Sequence, residues 1–270
     1  MRYPGGKSKL KKKILPFIVP SSDVVEYREP FFGGGSIGVD FLSSSSIPQV
    51  WVNDFDKHLA NMWNSVIHNP EPLKEMIRSF KPTVQSFYDF KAALTSDMAD
   101  SVTSGFYKLA IHQMSYSGLG VKAGGPIGGV NQTSNYSVDC RWSPDNICKK
   151  IDKIHTMLSS KQTKCTSVSF EDVILDESVK AFLYLDPPYY DKGGDLYFHA
   201  FNHQQHVDLS QLLRQSNHEW VLSYDDMPEI RNMYSWAKIT EIDATYTITS
   251  VIGENDIRAS NRKVELVITK

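Results

Sequence analysis

Cysteine is scarce in this chain. There are three in 270 residues, Cys140, Cys148 and Cys165, an odd number with no Cys-x-x-Cys pair. That argues against a disulfide framework and a cysteine-built zinc site, and points to the reducing cytoplasm. No apolar run approaches the ~18 residues of a membrane span, so no membrane association is expected. The basic N-terminus leads only into Ile14 to Val19, a short stretch broken by Pro16 and lacking a small-residue cleavage site. A secretory signal is therefore not expected. There is no internal repeat and no long low-complexity tract, and Ser43 to Ser46 reads as a surface loop. What remains is ordinary globular composition, 41% hydrophobic and 22% charged, which excludes a disordered or collagenous chain. The length allows one large domain or a core with a smaller companion.

Excess charge of either sign is also missing. The net charge is −2 and the pI near 6.4, which argues against a general polyanion binder. The distribution is uneven, however. Arg2, Lys7, Lys9, Lys11, Lys12 and Lys13 occupy the first thirteen positions without an acidic residue. A second basic stretch holds Arg141, Lys149, Lys150, Lys153, Lys161 and Lys164, whereas 170–208 is acidic. This asymmetry permits a phosphate-facing surface beside an acidic pocket. It fits solvated helix faces equally well.

Strand patterns fall at Val24–Glu29, Val50–Asp54, Thr166–Phe170, Ala181–Leu185 and Glu219–Tyr224. Lys238–Thr249 and Arg262–Thr269 are expected to pair as an antiparallel hairpin at the sheet edge. Between the strands, Leu59, Met62, Trp63, Val66 and Ile67 form the apolar stripe of a core-facing helix. Leu209, Leu212 and Leu213 repeat that pattern behind a capping box of Asn202 and Gln205. Strands alternating with helices imply an α/β fold with a mainly parallel sheet. The span 70–164 breaks the rhythm: it is mostly helical, with a glycine-rich stretch Gly118–Gly129 and a helix beginning at Ser143-Pro144. We read it as an insertion, a smaller subdomain between 1–69 and 165–270.

Two constellations carry chemistry. The first strand runs into Gly33-x-Gly35-x-x-Gly38 ahead of a helix-compatible segment, and Asp54 ends the next strand about twenty residues on. Such glycines bring a ligand against main-chain N–H groups, and the acid can accept from a ribose diol. NAD and S-adenosylmethionine satisfy this equally. Gly6-Lys7-Ser8 is not a P-loop, because Met1 stands where the first glycine is needed and no strand precedes it. The second constellation is Asp186-Pro187-Pro188-Tyr189, ending the apolar strand Ala181–Leu185. Asp186 and the Pro187 carbonyl can each accept from an exocyclic amino group while Tyr189 offers a flat face. That set suits a planar base bearing –NH₂, whose nitrogen becomes nucleophilic once both of its hydrogens are held.

These residues together resemble the Dam-type, or D12 class, DNA adenine-N6 methyltransferases. The likeness covers nearly the whole chain: Tyr3-Pro4-Gly5-Gly6-Lys7, Glu29-Pro30-Phe31-Phe32-Gly33-Gly34-Gly35, Asn53-Asp54, Asp186-Pro187-Pro188-Tyr189 and the closing Glu265-Leu266-Val267-Ile268. It implies a Rossmann-like, S-adenosylmethionine-dependent methyltransferase core carrying a mostly helical DNA-recognition insertion at 70–164. It further implies methyl transfer to N6 of an adenine flipped out of double-stranded DNA, with S-adenosylhomocysteine as product. By the same likeness Asp186, Pro187 and Tyr189 are catalytic. Tyr3, Lys7, Glu29, Phe31, Phe32, Gly33, Gly35, Asp54, Phe55, Phe170, Asp172 and Asp186 surround the cofactor. No metal is implied, and His199, His203 and His206 lack the glutamate of a zinc-protease pattern.

The insertion departs from the best-known relatives, so their target sequence does not carry over. Physically, Asn131 and Gln132 suit adenine edges, Lys122 and Arg141 suit guanine or phosphate, and Lys9, Asn135 and Tyr136 complete a DNA-facing set. The expected state is a monomer or weak dimer, with a cognate restriction endonuclease as a further partner. Cytosine N4 or RNA adenine on the same scaffold, an NAD-dependent oxidoreductase, and a DNA-binding protein without catalysis are the competing readings.

Overall fold

The computed structural model describes residues 1–96, 100–191, 200–244 and 263–270. In chain order its elements are α1 (Lys11–Ile14), β1 (Glu26–Glu29), α2 (Gly38–Leu42), β2 (Gln49–Asn53) and α3 (Lys57–His68), then α4 (Pro70–Ser79), α5 (Val84–Ser96), α6 (Ser101–Met114) and α7 (Pro144–Ser159). They continue with β3 (Gln162–Thr166), α8 (Phe170–Leu175), β4 (Ala181–Leu185), α9 (His203–Gln215), β5 (Glu219–Asp225), α10 (Pro228–Met233), β6 (Lys238–Ala244) and β7 (Lys263–Thr269). The seven strands make one sheet in the order β3-β2-β1-β4-β5-β7-β6. The first five run parallel to their neighbours, and β7 runs antiparallel to both β5 and β6. The fold is an open, Rossmann-like α/β sheet with the expected C-terminal antiparallel pair. Residues 245–249 and Arg262 of the two predicted late strands lie outside the described residues. Among those described, no helix is long and apolar enough to cross a membrane.

The strand order decides where a ligand sits. β1 and β4 are paired although some 150 residues separate them, with Glu26 opposite Ala181 and Arg28 opposite Leu183. Chain direction across the sheet reverses there, at the topological switch point where open α/β sheets bind ligands beyond the strands' carboxyl ends. The glycine segment after β1, Asp54 after β2 and Asp186 after β4 all lie at that edge. The prolines after β4 end its ladder as their missing N–H requires.

One strand differs from its sequence pattern. Thr166–Phe170 was expected extended, but β3 occupies Gln162–Thr166 and Phe170 opens α8. The Ser169 hydroxyl accepts from the N–H of Asp172, and the Asp172 carboxylate accepts from the N–H of Ser169. This capping box starts a helix where β-branched residues suggested a strand. At α7 the serine before proline is the N-cap residue but its side chain makes no cap hydrogen bond; its hydroxyl accepts from Asn146 Nδ2 at 2.8 Å. The box of Asn202 and Gln205 caps α9 as the sequence indicates.

The inserted helices share the core of the sheet's first half. Phe106, Leu109 and Ile111 of α6 and Ile151, Ile154 and Leu158 of α7 are buried in one cluster with Leu59, Met62, Trp63 and Val66 of α3. The α3–α6 approach is close because Gly105 has no side chain: a Cβ there would lie 2.8 Å from Met62 Cα and 2.8 Å from Met62 N. Backbone cannot yield as a side chain can, so Gly105→Ala should lower stability by about 1–3 kcal/mol, overriding the helix preference for alanine. Urea unfolding measures this, and an equally or more stable variant would contradict the packing.

Candidate active site

The pocket at the sheet edge has a volume of about 480 Å³, within the range that holds a nucleoside-sized ligand. It is lined by Tyr3, Glu29, Phe31 to Ile37, Asn53 to Asp56, Ser169 to Glu171, Tyr184, Asp186, Pro188, Phe201 and Gln205, with the backbone of Pro4 to Gly6 beside Tyr3. Gly35 adopts φ 65°, a left-handed conformation that favours glycine. A Cβ on it would strike Trp63 at 2.8 Å and Phe32 at 2.9 Å. Trp63 in turn donates from Nε1 to the Gly33 carbonyl at 2.9 Å, so α3 holds the glycine turn from behind.

Asp54 closes that turn from the neighbouring strand. Its Oδ2 accepts from Gly33 N at 2.9 Å and its Oδ1 from Asp56 N at 3.0 Å. Burial and the nearby Asp56 raise its carboxyl to about 7, against the pull of those N–H groups. Asn53 is wholly structural: its amide donates to Pro30 and Val168 carbonyls and accepts from Thr166 Oγ1 and Val168 N, tying three strand ends together. Burial pushes the Glu29 carboxyl well up while it accepts from Tyr27 Oη at 2.9 Å. Phe31, Phe170 and Phe201 form an aromatic cluster on the pocket wall with centroids 5.1–5.6 Å apart. Phe32 is buried edge-on to Trp63, and Phe55 stands 58% exposed at the rim.

Asp186 faces the same pocket and is polarised to one side. Its Oδ1 pairs with Lys7 Nζ at 2.6 Å and accepts from Ser223 Oγ at 3.1 Å, which leaves Oδ2 without a hydrogen bond among the described residues. Burial raises the carboxyl, against the pull of Lys7 and Ser223. Lys7 is itself 1% exposed and reaches Glu265 Oε1 at 3.1 Å and Tyr189 Oη at 2.9 Å. Burial opposes its charge, but these partners outweigh it and hold the ammonium protonated. Beyond the prolines, Asp225 accepts from Tyr190 N at 3.1 Å and Asp191 N at 3.3 Å, which anchors the loop.

Of the residues expected around a cofactor, all but Lys7 and Asp172 line one cavity; of the three expected to be catalytic, Asp186 lines it and Pro187 and Tyr189 do not. Lys7 sits behind Asp186 rather than in the pocket wall. Asp172 caps α8, leaving Ser169, Phe170 and Glu171 to face the cavity. Tyr189 points its hydroxyl at Lys7 and donates to Glu265 Oε2 at 2.8 Å, its ring under the Lys7 ammonium at 4.4 Å. Phe201, Ser223, Asp225 and Glu265 stand at the site without having been singled out as site residues. Nothing local marks Phe201, whereas a lone glutamate opening an apolar closing strand was a usable signal for Glu265.

The expected DNA-facing residues lie mostly on the irregular stretch between α6 and α7. Lys9, Lys122, Asn131, Asn135, Tyr136 and Arg141 are exposed. The stretch holds short 3₁₀ turns and one isolated bridge between Ser115 and Pro126. Gln132 is engaged within the loop. Its amide donates to Ile127 O at 2.8 Å and Gly129 O at 2.6 Å and accepts from Val138 N at 2.7 Å, so it shapes the loop. His203 and His206 are held by Tyr190 and Tyr224, and His199 lies outside the described residues.

A family model described as D12 class N6 adenine-specific DNA methyltransferase matches residues 3–248. The chain is also 24% identical, over 283 aligned residues, to the type II methyltransferase M1.LlaDCHI of Lactococcus lactis subsp. cremoris, a likeness spanning 99% of this chain and 93% of the relative. A match of that length agrees with the order of motifs around the pocket, and the protein belongs to the D12 class N6 adenine-specific DNA methyltransferase family.

Proposed function

We propose that the protein transfers a methyl group from S-adenosylmethionine to N6 of an adenine flipped out of double-stranded DNA at a specific sequence. One observation carries the reading: Asp186, whose Oδ2 accepts no hydrogen bond among the described residues, lines the same pocket as Asp54 and the glycine turn. The pocket fits the cofactor in kind. Asp54 suits a ribose diol, the Phe31–Phe170–Phe201 cluster suits a purine face, and Glu29 suits a charged amino group. When bound, S-adenosylmethionine supplies a sulfonium-activated methyl whose sulfur keeps the electron pair of the broken bond. The protein's part is to hold the base. Asp186 Oδ2 and the Pro187 carbonyl accept the two amino hydrogens, free the nitrogen lone pair, and give the departing proton an acceptor.

We assign DNA contact to Lys9, Lys122, Asn131, Asn135, Tyr136 and Arg141, and target recognition to 70–164 as against catalysis by 1–69 and 165–270. We carry over the type II character of the relative, which would make a restriction endonuclease of the same target the natural partner, in the cytoplasm of a bacterium or of a phage host. A monomer or weak dimer suffices for this chemistry. The test is to incubate the protein with labelled S-adenosylmethionine and mixed-sequence DNA, then digest to nucleosides. N6-methyladenine is expected; N4-methylcytosine alone, or transfer only to RNA, would overturn the reading.

The Asp54 assignment makes a second prediction. Diol hydroxyls donate, so they favour the ionised carboxylate, whose fraction rises through its pKa near 7. The dissociation constant for S-adenosylhomocysteine should therefore fall about tenfold between about pH 6 and about pH 8, following the ionised fraction. Asp54→Asn should flatten that dependence. Calorimetry at several pH values checks both, and a flat wild-type profile would contradict the assignment.

A further inference from the structure

Glu265 lies beyond the residues matched by the family model and outside the pocket wall, yet it is 2% exposed and joined to the site through two different partners. Its Oε1 is 3.1 Å from Lys7 Nζ, and its Oε2 accepts from Tyr189 Oη at 2.8 Å. Lys7 is thus shared between two carboxylates, Glu265 on one side and Asp186 on the other. A buried glutamate costs several kcal/mol of desolvation unless paired, so a strand that needed only an apolar residue would not carry one here. We propose that Glu265 is a positioning residue for the methyl-transfer site: by holding part of the Lys7 charge and the Tyr189 phenol, it keeps Asp186 basic enough to serve as acceptor for the base amino group.

The reasoning follows from charge sharing. Were Lys7 to face Asp186 alone, the full ammonium charge would stabilise the ionised form of Asp186 and weaken Oδ2 as an acceptor. Glu265 opposes that in two ways. It competes for the same ammonium, and it adds a second negative charge beside the first. Tyr189 completes the arrangement, accepting from Lys7 and donating to Glu265, so the phenol is fixed at one side of the base site. Among the described residues, the other ionisable groups around this cluster are Glu29 from β1, Tyr184 from β4, and Tyr224 and Asp225 from β5. Each of them is unchanged by a substitution at 265. This inference rests on the proposed function only in what Asp186 does, not in how it is tuned.

The experiment titrates the Asp186 carboxyl directly by ¹³C NMR in the ligand-free protein, assigned with Asp186→Asn, and measures single-turnover methylation against pH. Glu265→Gln should lower the Asp186 midpoint by about one pH unit or more, within the range expected of an unshared neighbouring charge. It should move the acid limb of the rate profile down with it and reduce the plateau rate about three- to tenfold, with cofactor affinity unchanged. Glu265→Asp, which keeps the charge, should return the midpoint most of the way to wild type. Tyr189→Phe, which removes an acceptor that shares the Lys7 ammonium and so leaves more of its charge on Asp186, should move the midpoint in the same direction by a smaller step. It covers the case in which Glu265→Gln fails to fold. An unmoved midpoint in Glu265→Gln, or equal shifts in Glu265→Gln and Glu265→Asp, would overturn the proposal. Because the titration needs no turnover, these outcomes are separate from a wild-type protein that transfers no methyl to adenine, which would instead remove the proposed function.

Discussion

Asp186→Ala should lower the single-turnover rate of adenine methylation by about 10²–10³-fold or more, the loss typical of removing one preorganised polar contact to developing charge. Folding should survive. Lys7 keeps Glu265 and Tyr189 as partners when Asp186 is shortened, so the substitution strands no buried cation. The cofactor dissociation constant should change far less than the rate, because the diol and purine walls of the pocket stay intact, and an interaction made chiefly in the transition state appears in the rate. Asp186→Asn provides the control, retaining shape and one acceptor without the charge; its rate should fall between those of wild type and alanine. Rapid-quench measurement with excess enzyme gives the rate, and thermal melting confirms the fold. A rate within a factor of a few of wild type would remove Asp186 from the chemistry.

The largest stability effect is expected at a residue far from any motif. Lys108, in the middle of α6, reaches across the α3–α6 interface to Asp56 Oδ2 at 2.5 Å, and both side chains are nearly buried, at 5% and 11% exposure. Burial works against the charge on Asp56, but Lys108 outweighs it and holds the carboxyl below its ordinary range. Lys108→Met leaves that carboxylate buried and unpaired, at a cost of about 3–5 kcal/mol. Lys108→Met combined with Asp56→Asn should recover most of the loss. Asparagine keeps the cap that Asp56 provides to His58 N and Leu59 N while shedding the charge. Urea unfolding of the single and double variants measures the coupling. A single-variant loss below about 1 kcal/mol would mean the pair is already well hydrated. A second effect follows at the pocket: Lys108 also helps keep Asp54 ionised, so cofactor affinity near neutral pH should weaken in Lys108→Met.

Much of the molecule is legible in its sequence. The apolar run Ala181–Leu185 could only be a buried strand, and the stripe Leu59–Ile67 could only face a core, because period and burial agreed. The glycine turn, Asp54 and Asp186 each sat at a predicted strand end, and parallel strands bring such ends to one edge. What could not be read were contacts made across the sheet. Lys7 pairs with Asp186 across 179 positions, and no spacing rule reaches so far. The error at Thr166–Phe170 had a local cause, since β-branched residues outweighed a serine-to-aspartate capping box that was itself present in the sequence. Nor does residue type reveal that the Gln132 amide, suited to an adenine edge, donates to the loop's own carbonyls.

Because α3 and α6 touch backbone to backbone at Gly105 and Met62, the span 70–164 cannot be lifted out as a cassette. Transplanting it whole from a relative with another target would cut through a common interior and import mismatched side chains where α3 packs on α6 and α7. The natural unit of exchange is the irregular stretch from Ser115 to Trp142, tethered by Arg2 to the Gln113 and Ser115 carbonyls at 3.0 and 3.3 Å and by Trp142 to the Phe80 carbonyl at 3.2 Å. If target recognition lies in 70–164 as proposed, new target preferences should accordingly arise by rewriting that one segment between fixed moorings, leaving the surrounding helices to drift only in step with the sheet.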